Sequence, residues 1–227
     1  MKTILVIGGS KGIGKSIVMQ LLDKHKVINF SRSSPDFEHA NLKSFQLDVI
    51  VDNLPELSSL DGLIYCPGTI NLKPFSRLDK NSFLQDFEIN VLGAVRCLKA
   101  YESVLKKSES ASIVMFSTVA SQLGMPFHSS VAVSKSGVEG LVKSLAAEWV
   151  PRIRVNAIAP TITDTTLAKG ILRNETMREK MNDRHPLRKI LDPAEVAHFA
   201  TYLISSKAAS MTGQVFNMDC GILSIRV

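Results

Sequence analysis

Several shortages in this sequence each close off a class of protein. No run approaches the roughly 20 apolar residues of a membrane span. The apolar stretch in "MKTILVIGG" breaks at glycine too early for a signal peptide. Cysteine is scarce: Cys66, Cys97 and Cys220 are far apart and odd in number, which suggests neither a disulfide framework nor a metal site. A cytoplasmic protein without a metal is expected. The formal net charge is +6, yet the longest basic clusters are only "LKK" at 105–107 and "LRK" at 187–189. No aromatic residues are interleaved with them, so the charge reads as a solvated face rather than a nucleic-acid surface. There is no long linker, low-complexity tract or internal repeat. One domain spanning 1–227 is the expectation.

What is present is an alternation of short β-branched runs and amphipathic helices. Strands are predicted at "TILVIG" (3–8), "KVINFS" (26–31), "KSFQLDV" (43–49), "DGLIYC" (61–66), "ASIVMFS" (111–117), "RIRVNAIAP" (152–160) and "GQVFNMD" (213–219). Helices are predicted over 14–25, as one long helix over 81–107 opened by Asn81 or Ser82, over 131–149, and over 192–205 with aspartate as cap and proline at its first position. This pattern implies an α/β fold: a single doubly wound Rossmann domain, with a parallel sheet of about seven strands and helices on both faces. Ligands in such sheets bind at the carboxyl ends of the strands, where the strand order reverses.

"VIGGSKGIG" closes the first strand and opens the first helix. Gly8, Gly12 and Gly14 are spaced G-x-x-x-G-x-G. Glycines there let the backbone approach a pyrophosphate, and the helix start offers unpaired N–H groups and partial positive charge.

That loop resembles the short-chain dehydrogenase/reductase family, whose version reads T-G-x-x-x-G-x-G, with Ile7 here in place of the threonine. The resemblance continues through "QLDV", "YCPG" (65–68, keeping only the last residue of the family's N-N-A-G), "INVLG", "IRVNAIAP", "TITDT", "HPLRKILDPAEVA" and "MTGQVFNMDCG". It implies cofactor contacts from Gly8, Ser10, Lys11, Gly12, Ile13 and Gly14. Asp48 and Val49 would hold the adenine. Gly68, Asn90, Lys135, Ile162 and Thr165 would line the nicotinamide half. At the end of the second strand, Ser31 stands where an acid would bind the ribose of NAD, and Arg32 follows. Lys11 and Arg32 suit an adenosine 2′-phosphate, so NADP(H) is the expected cofactor.

The family reduces carbonyls with a serine that orients the substrate, a tyrosine that donates the proton, a lysine four residues later and a helix asparagine. Carried onto this chain, the lysine is Lys135, the asparagine Asn90 and the serine Thr118, with Ser117 beside it. The tyrosine position is Val131. Loss of a general acid is worth about 10²- to 10⁴-fold in rate. Three readings stay open. In the first, a relocated donor serves, His128 ahead of Tyr65. In the second, the substrate, an activated C=C or C=N bond or a heterocycle, needs less help than a ketone. Or the protein binds NADP(H) without turnover, as a sensor or partner subunit. The first two make it an NADP(H)-dependent oxidoreductase acting on a small carbonyl, imine or activated double bond.

The resemblance assigns 166–191 to substrate covering, as an amphipathic lid with a solvated outer face. It also implies a homo-dimer or homo-tetramer through helices 81–107 and 131–149, where Gly137, Gly140 and Ala146 permit close approach. The expected partner is a small-molecule substrate, with neither nucleic acid nor membrane.

Overall fold

The computed structural model describes residues 1–226. Seven strands form one sheet: β1 (Thr3–Ile7), β2 (Lys26–Ser31), β3 (Leu42–Gln46), β4 (Gly62–Tyr65), β5 (Ala111–Phe116), β6 (Ile153–Pro160) and β7 (Val215–Met218). Their spatial order is β3-β2-β1-β4-β5-β6-β7, and every pairing is parallel. The order reverses between β1 and β4, which places the ligand crevice beyond their carboxyl ends.

The described residues form six α-helices: α1 (Gly12–Leu22), α2 (Lys80–Phe87), α3 (Gly93–Leu105), α4 (Ser129–Trp149), α5 (Glu175–Arg184) and α6 (Pro193–Ile204), of which α1, α3, α4 and α6 pack on the sheet. Alternate side chains of a strand face opposite ways. Leu5 and Ile7 of β1 therefore pack with Leu98, Tyr101, Val138 and Val142 of α3 and α4, while Ile4 and Val6 pack with Ile17, Leu21, Val196 and Leu203 of α1 and α6. Burial on both faces is why these strands read as continuous apolar runs.

The expected helix over 81–107 is in fact two α-helices joined by a π turn at Glu88–Leu92. It starts earlier than expected because Asp79, not Asn81 or Ser82, is the cap: its carboxylate accepts from Ser82 N at 2.8 Å. The helix expected at 131 begins at Ser129, so Val131 lies in its first turn. Asp192 caps α6 in a reciprocal box with Glu195, as the D-P-A-E sequence suggests. Helix α5 has no apolar stripe, and only its Asn174 cap, accepting from Met177 N, marks it locally.

Among the described residues, no helix is long and apolar enough to cross a membrane.

Candidate active site

A cleft of about 1400 Å³ runs along the carboxyl edge of the sheet. At one end stands the glycine loop. Gly8 and Gly12 have φ of +81° and +53°, and a Cβ on Gly14 would come 2.2 Å from the Gly8 carbonyl oxygen. Helix α1 can therefore start only with glycine at 14. Its N-cap residue, Lys11, offers no side-chain bond, and no acid stands in the first turn. The first N–H groups are left for a ligand, the arrangement that suits an anion. A Cβ on Gly12 would meet Thr165 at 3.2 Å, so Thr165 closes over this turn.

Beyond it, Lys11 and Arg32 are exposed on the cleft wall, and neither forms an ion pair among the described residues. Ser31 is buried, and its hydroxyl is committed: it donates to the Ser33 carbonyl at 2.9 Å and accepts from Asn29 Nδ2 at 2.8 Å. The loop hydroxyls left facing the cleft are Ser33 and Ser10, 3.1 Å apart. Asn29 ties the strand to the loop by accepting from Gly9 N at 2.9 Å. The sequence reading had singled out neither Ser33 nor Asn29. Asp48 and Val49 line the cleft on the same side, where Asp48 Oδ1 accepts from Ile50 N at 3.0 Å.

At the other end, Val131 and Lys135 lie one helical turn apart and both line the cleft. Lys135 is 6% exposed, and its Nζ donates to the Phe116 carbonyl at 2.8 Å. Burial lowers its pKa from 10.5 to about 8, with Cys66 and Asp86 acting in the opposite sense. Asn90 sits in the π turn behind Gly68. Its Nδ2 donates to the Asp86 carbonyl oxygen, Thr69 Oγ1 and Ser134 Oγ at 2.8, 2.9 and 3.1 Å, while its Oδ1 is buried without a partner. A Cβ on Gly68 would come 3.3 Å from both Asn90 Oδ1 and Lys135 Nζ. The glycine thus leaves room beside these two groups.

The hydroxyls at the end of β5 diverge. Thr118 lines the cleft, and its Oγ1 is only a loose cap, accepting from Ala120 N at 3.3 Å. Ser117 donates to Glu139 Oε1 at 2.6 Å and is buried, so it is a structural bond rather than a substitute for Thr118. Tyr65 is no donor either. Its hydroxyl bonds the Ile89 carbonyl at 2.7 Å, and burial pushes its pKa well up. That removes the second relocated donor weighed from the sequence. His128 is half-buried on the cleft rim, with Nδ1 2.7 Å from the Pro126 carbonyl oxygen, which leaves Nε2 free. Burial also pushes the Cys66 thiol up, so it is a packing residue.

The stretch after β6 is pinned from two sides. Arg178 makes a two-pronged pair with Asp164 at 2.7 and 2.9 Å. His185, 2% exposed, bonds Thr161 Oγ1 through Nε2 at 2.7 Å and the Met181 carbonyl through Nδ1 at 2.6 Å. Ile162 lies between these anchors on the cleft wall. His185 was missed because a histidine in a charged run reads as exposed.

A family model described as enoyl-(acyl carrier protein) reductase matches residues 44–223. The crystal structure of a short chain dehydrogenase family protein from Francisella tularensis superposes with a TM-score of 0.90 at 27% identity, covering 99% of this chain and 100% of that one. The chain belongs to the short-chain dehydrogenase/reductase family. Within it, the chain is similar to the 3-oxoacyl-[acyl-carrier-protein] reductase FabG of Staphylococcus epidermidis, at 24% identity over 97% of this chain and 98% of that protein. It is also similar to ElxO with NADP bound, with a TM-score of 0.87 and 26% identity over 99% and 100% of the two chains. The doubly wound sheet of this short-chain dehydrogenase/reductase is therefore the family's shared frame.

Proposed function

We propose that this protein is an NADP(H)-dependent oxidoreductase that transfers a hydride to or from a small carbonyl, imine or activated double bond. The carrying observation is that the two ends of one cleft are equipped for the two halves of a dinucleotide. The unpaired N–H groups of α1 with the free cations Lys11 and Arg32 suit a pyrophosphate and a 2′-phosphate. At the far end, buried Lys135 and the orphaned Asn90 Oδ1 suit ribose hydroxyls and a water. The NADP-bound ElxO neighbour supports the same cofactor.

NADPH would supply the hydride. Lys11, Arg32 and Ser33 select the phosphorylated ribose, with Ser31 held behind them. Asp48 and Val49 flank the adenine, and Gly8, Ser10, Gly12, Ile13, Gly14, Gly68, Ile162 and Thr165 shape the rest of the bed. Lys135 and Asn90 position the nicotinamide ribose. Thr118 offers its hydroxyl to the substrate, and His128 Nε2 is the group that delivers a proton where a carbonyl needs one. Segment 166–191 covers the substrate. Exposed Leu84, Leu92 and Val133 on α2, the π turn and α4 support a homo-oligomer through those helices, which sedimentation would reveal as a dimer or tetramer.

Val131, which carries no proton, favours a second reading: an NADP(H)-binding protein without turnover. NADPH fluorescence followed by a screen of ketones, imines and activated alkenes separates the two. Tight NADPH binding with no oxidation of it by any substrate refutes the enzyme. His128→Ala should lower carbonyl turnover about 100-fold and leave NADPH affinity unchanged; an unchanged rate eliminates His128.

A further inference from the structure

At the Lys135 end of the cleft, two buried acceptors lack a donor among the described residues. Asp86 of α2 lines the cleft at 2% exposure, and its Oδ2 is fully buried with no hydrogen-bond partner. No cation among the described residues comes within ion-pair distance of this carboxylate. One turn along the same face, Asn90 Oδ1 is also buried and unpartnered. The position one turn before Lys135, where the family places a donating hydroxyl, holds Val131. A buried acceptor without a donor is costly, and a buried carboxylate more so, unless a ligand completes it.

We propose that Asp86 is the counter-ion for a cationic nitrogen, and that the substrate of this site is a protonated imine, with the corresponding amine as product. The inference rests on the hydride-transfer reading of the cleft and narrows its substrate class. A protonated imine carries the N–H donor that Asp86 lacks and the positive charge that its carboxylate stabilises. It also accounts for Val131. The carbon of C=N⁺ accepts a hydride from the reduced nicotinamide, the π pair moves to nitrogen, and nitrogen keeps the proton it already had. The imine is reduced to a neutral amine, the nicotinamide is oxidised, and no proton is required from the protein. A ketone, by contrast, gains an alkoxide that must be protonated, and it brings no donor to Asp86.

Asp86 and Asp48 are the only acids lining the cleft among the described residues, and Asp48 belongs to the adenine end. Facing Asp86 on α4 is Lys135, whose Nζ is hydrogen-bonded to the Phe116 carbonyl instead of to the carboxylate. His128, at the start of the same helix, and Lys73, Arg184 and His185 stand on the cleft wall from other segments. Among the described residues none of these groups forms an ion pair with Asp86, and the substrate nitrogen fills that role.

A matched pair tests this: 3,4-dihydroisoquinoline and 1-tetralone, of similar shape, with NADPH at pH 7. The expected result is a kcat/KM at least 10-fold higher for the imine. Asp86→Asn should lower imine kcat/KM at least 10-fold, chiefly through KM, leave NADPH affinity unchanged and be partly rescued by Asp86→Glu. A readout without turnover is calorimetric binding of tetrahydroisoquinoline to the cofactor-free protein, which Asp86→Asn should weaken at least 10-fold. Preference for the ketone, or an Asp86→Asn protein that binds and reduces like the wild type, overturns the proposal while the oxidoreductase reading stands. Failure to bind NADPH at all refutes that broader reading, and amine binding then still decides whether Asp86 holds a cation. Should Asp86→Asn fail to fold, Asp86→Ser serves in its place: loss of amine affinity with intact NADPH binding supports the assignment, and unchanged affinity overturns it.

Discussion

Replacing Lys135 with methionine tests whether its ammonium is held against its solvation preference. The folded protein lowers this group from 10.5 to about 8, chiefly by burial. Below pH 8 both the folded and unfolded chains carry the proton, and the folded state bears the full cost of a buried charge. Between pH 8 and 10.5 the unfolded chain holds more protons than the folded one, so wild-type stability rises with pH through that window. An interval of about 2.5 pH units at about 1.4 kcal/mol each is a swing of about 3 kcal/mol. Lys135→Met removes that swing and leaves the Phe116 carbonyl without its donor, a loss of about 1–2 kcal/mol at every pH. The variant without cofactor should therefore be about 1–2 kcal/mol more stable than wild type at pH 7 and less stable by a similar amount near pH 10.5. Urea denaturation of both proteins from pH 7 to 10.5 reads this directly, since groups that titrate alike in both cancel in the difference. A constant difference between the two curves, with no crossing, would refute the account of Lys135 as a buried, weakened ammonium.

Arg32→Ala should weaken NADPH about 10- to 100-fold and NADH by less than about twofold, measured by fluorescence titration, because only the 2′-phosphate meets that guanidinium. Gly14→Ala drives a Cβ into the Gly8 carbonyl at 2.2 Å. It should cost about 1–3 kcal/mol of stability and most NADPH affinity, whereas Gly140→Ala, where a Cβ meets nothing within 4 Å, should be neutral or slightly stabilising. Val131→Tyr should raise ketone turnover by about 10²-fold or more by supplying a phenol one turn before Lys135, with steady-state kinetics as the readout.

The strands were readable because burial on both faces leaves a continuous apolar run that needs no partner to interpret, as in Ile4–Val6 and Ile113–Met115. The glycine loop was readable because its demands are local: positive φ at Gly8 and Gly12, and no room for a Cβ at Gly14. Other features depend on what packs against them. Asp86 looks like one more acid on an amphipathic helix, and only its placement against α4 reveals a buried, unpaired carboxylate. Ser117 and Thr118 are adjacent hydroxyls, and Glu139, distant in sequence, takes the first and leaves the second. The π turn around Asn90 has no periodic signature, since it adds a widened turn within a run that is helical on both sides. Helix α5 lacked the apolar face that would have announced it.

The two anchors of the stretch after β6 bear on how fast the site fills. Arg178 on Asp164 and His185 on Thr161 tie α5 to the segment that leaves β6. Little chain entropy is then left to lose when a substrate enters. Between the anchored Asp164 and α5, Leu167 stands exposed on the cleft wall in a single turn, Thr166–Ala168. A piece that short moves as a loop does, within nanoseconds to microseconds, rather than by closure of a whole domain.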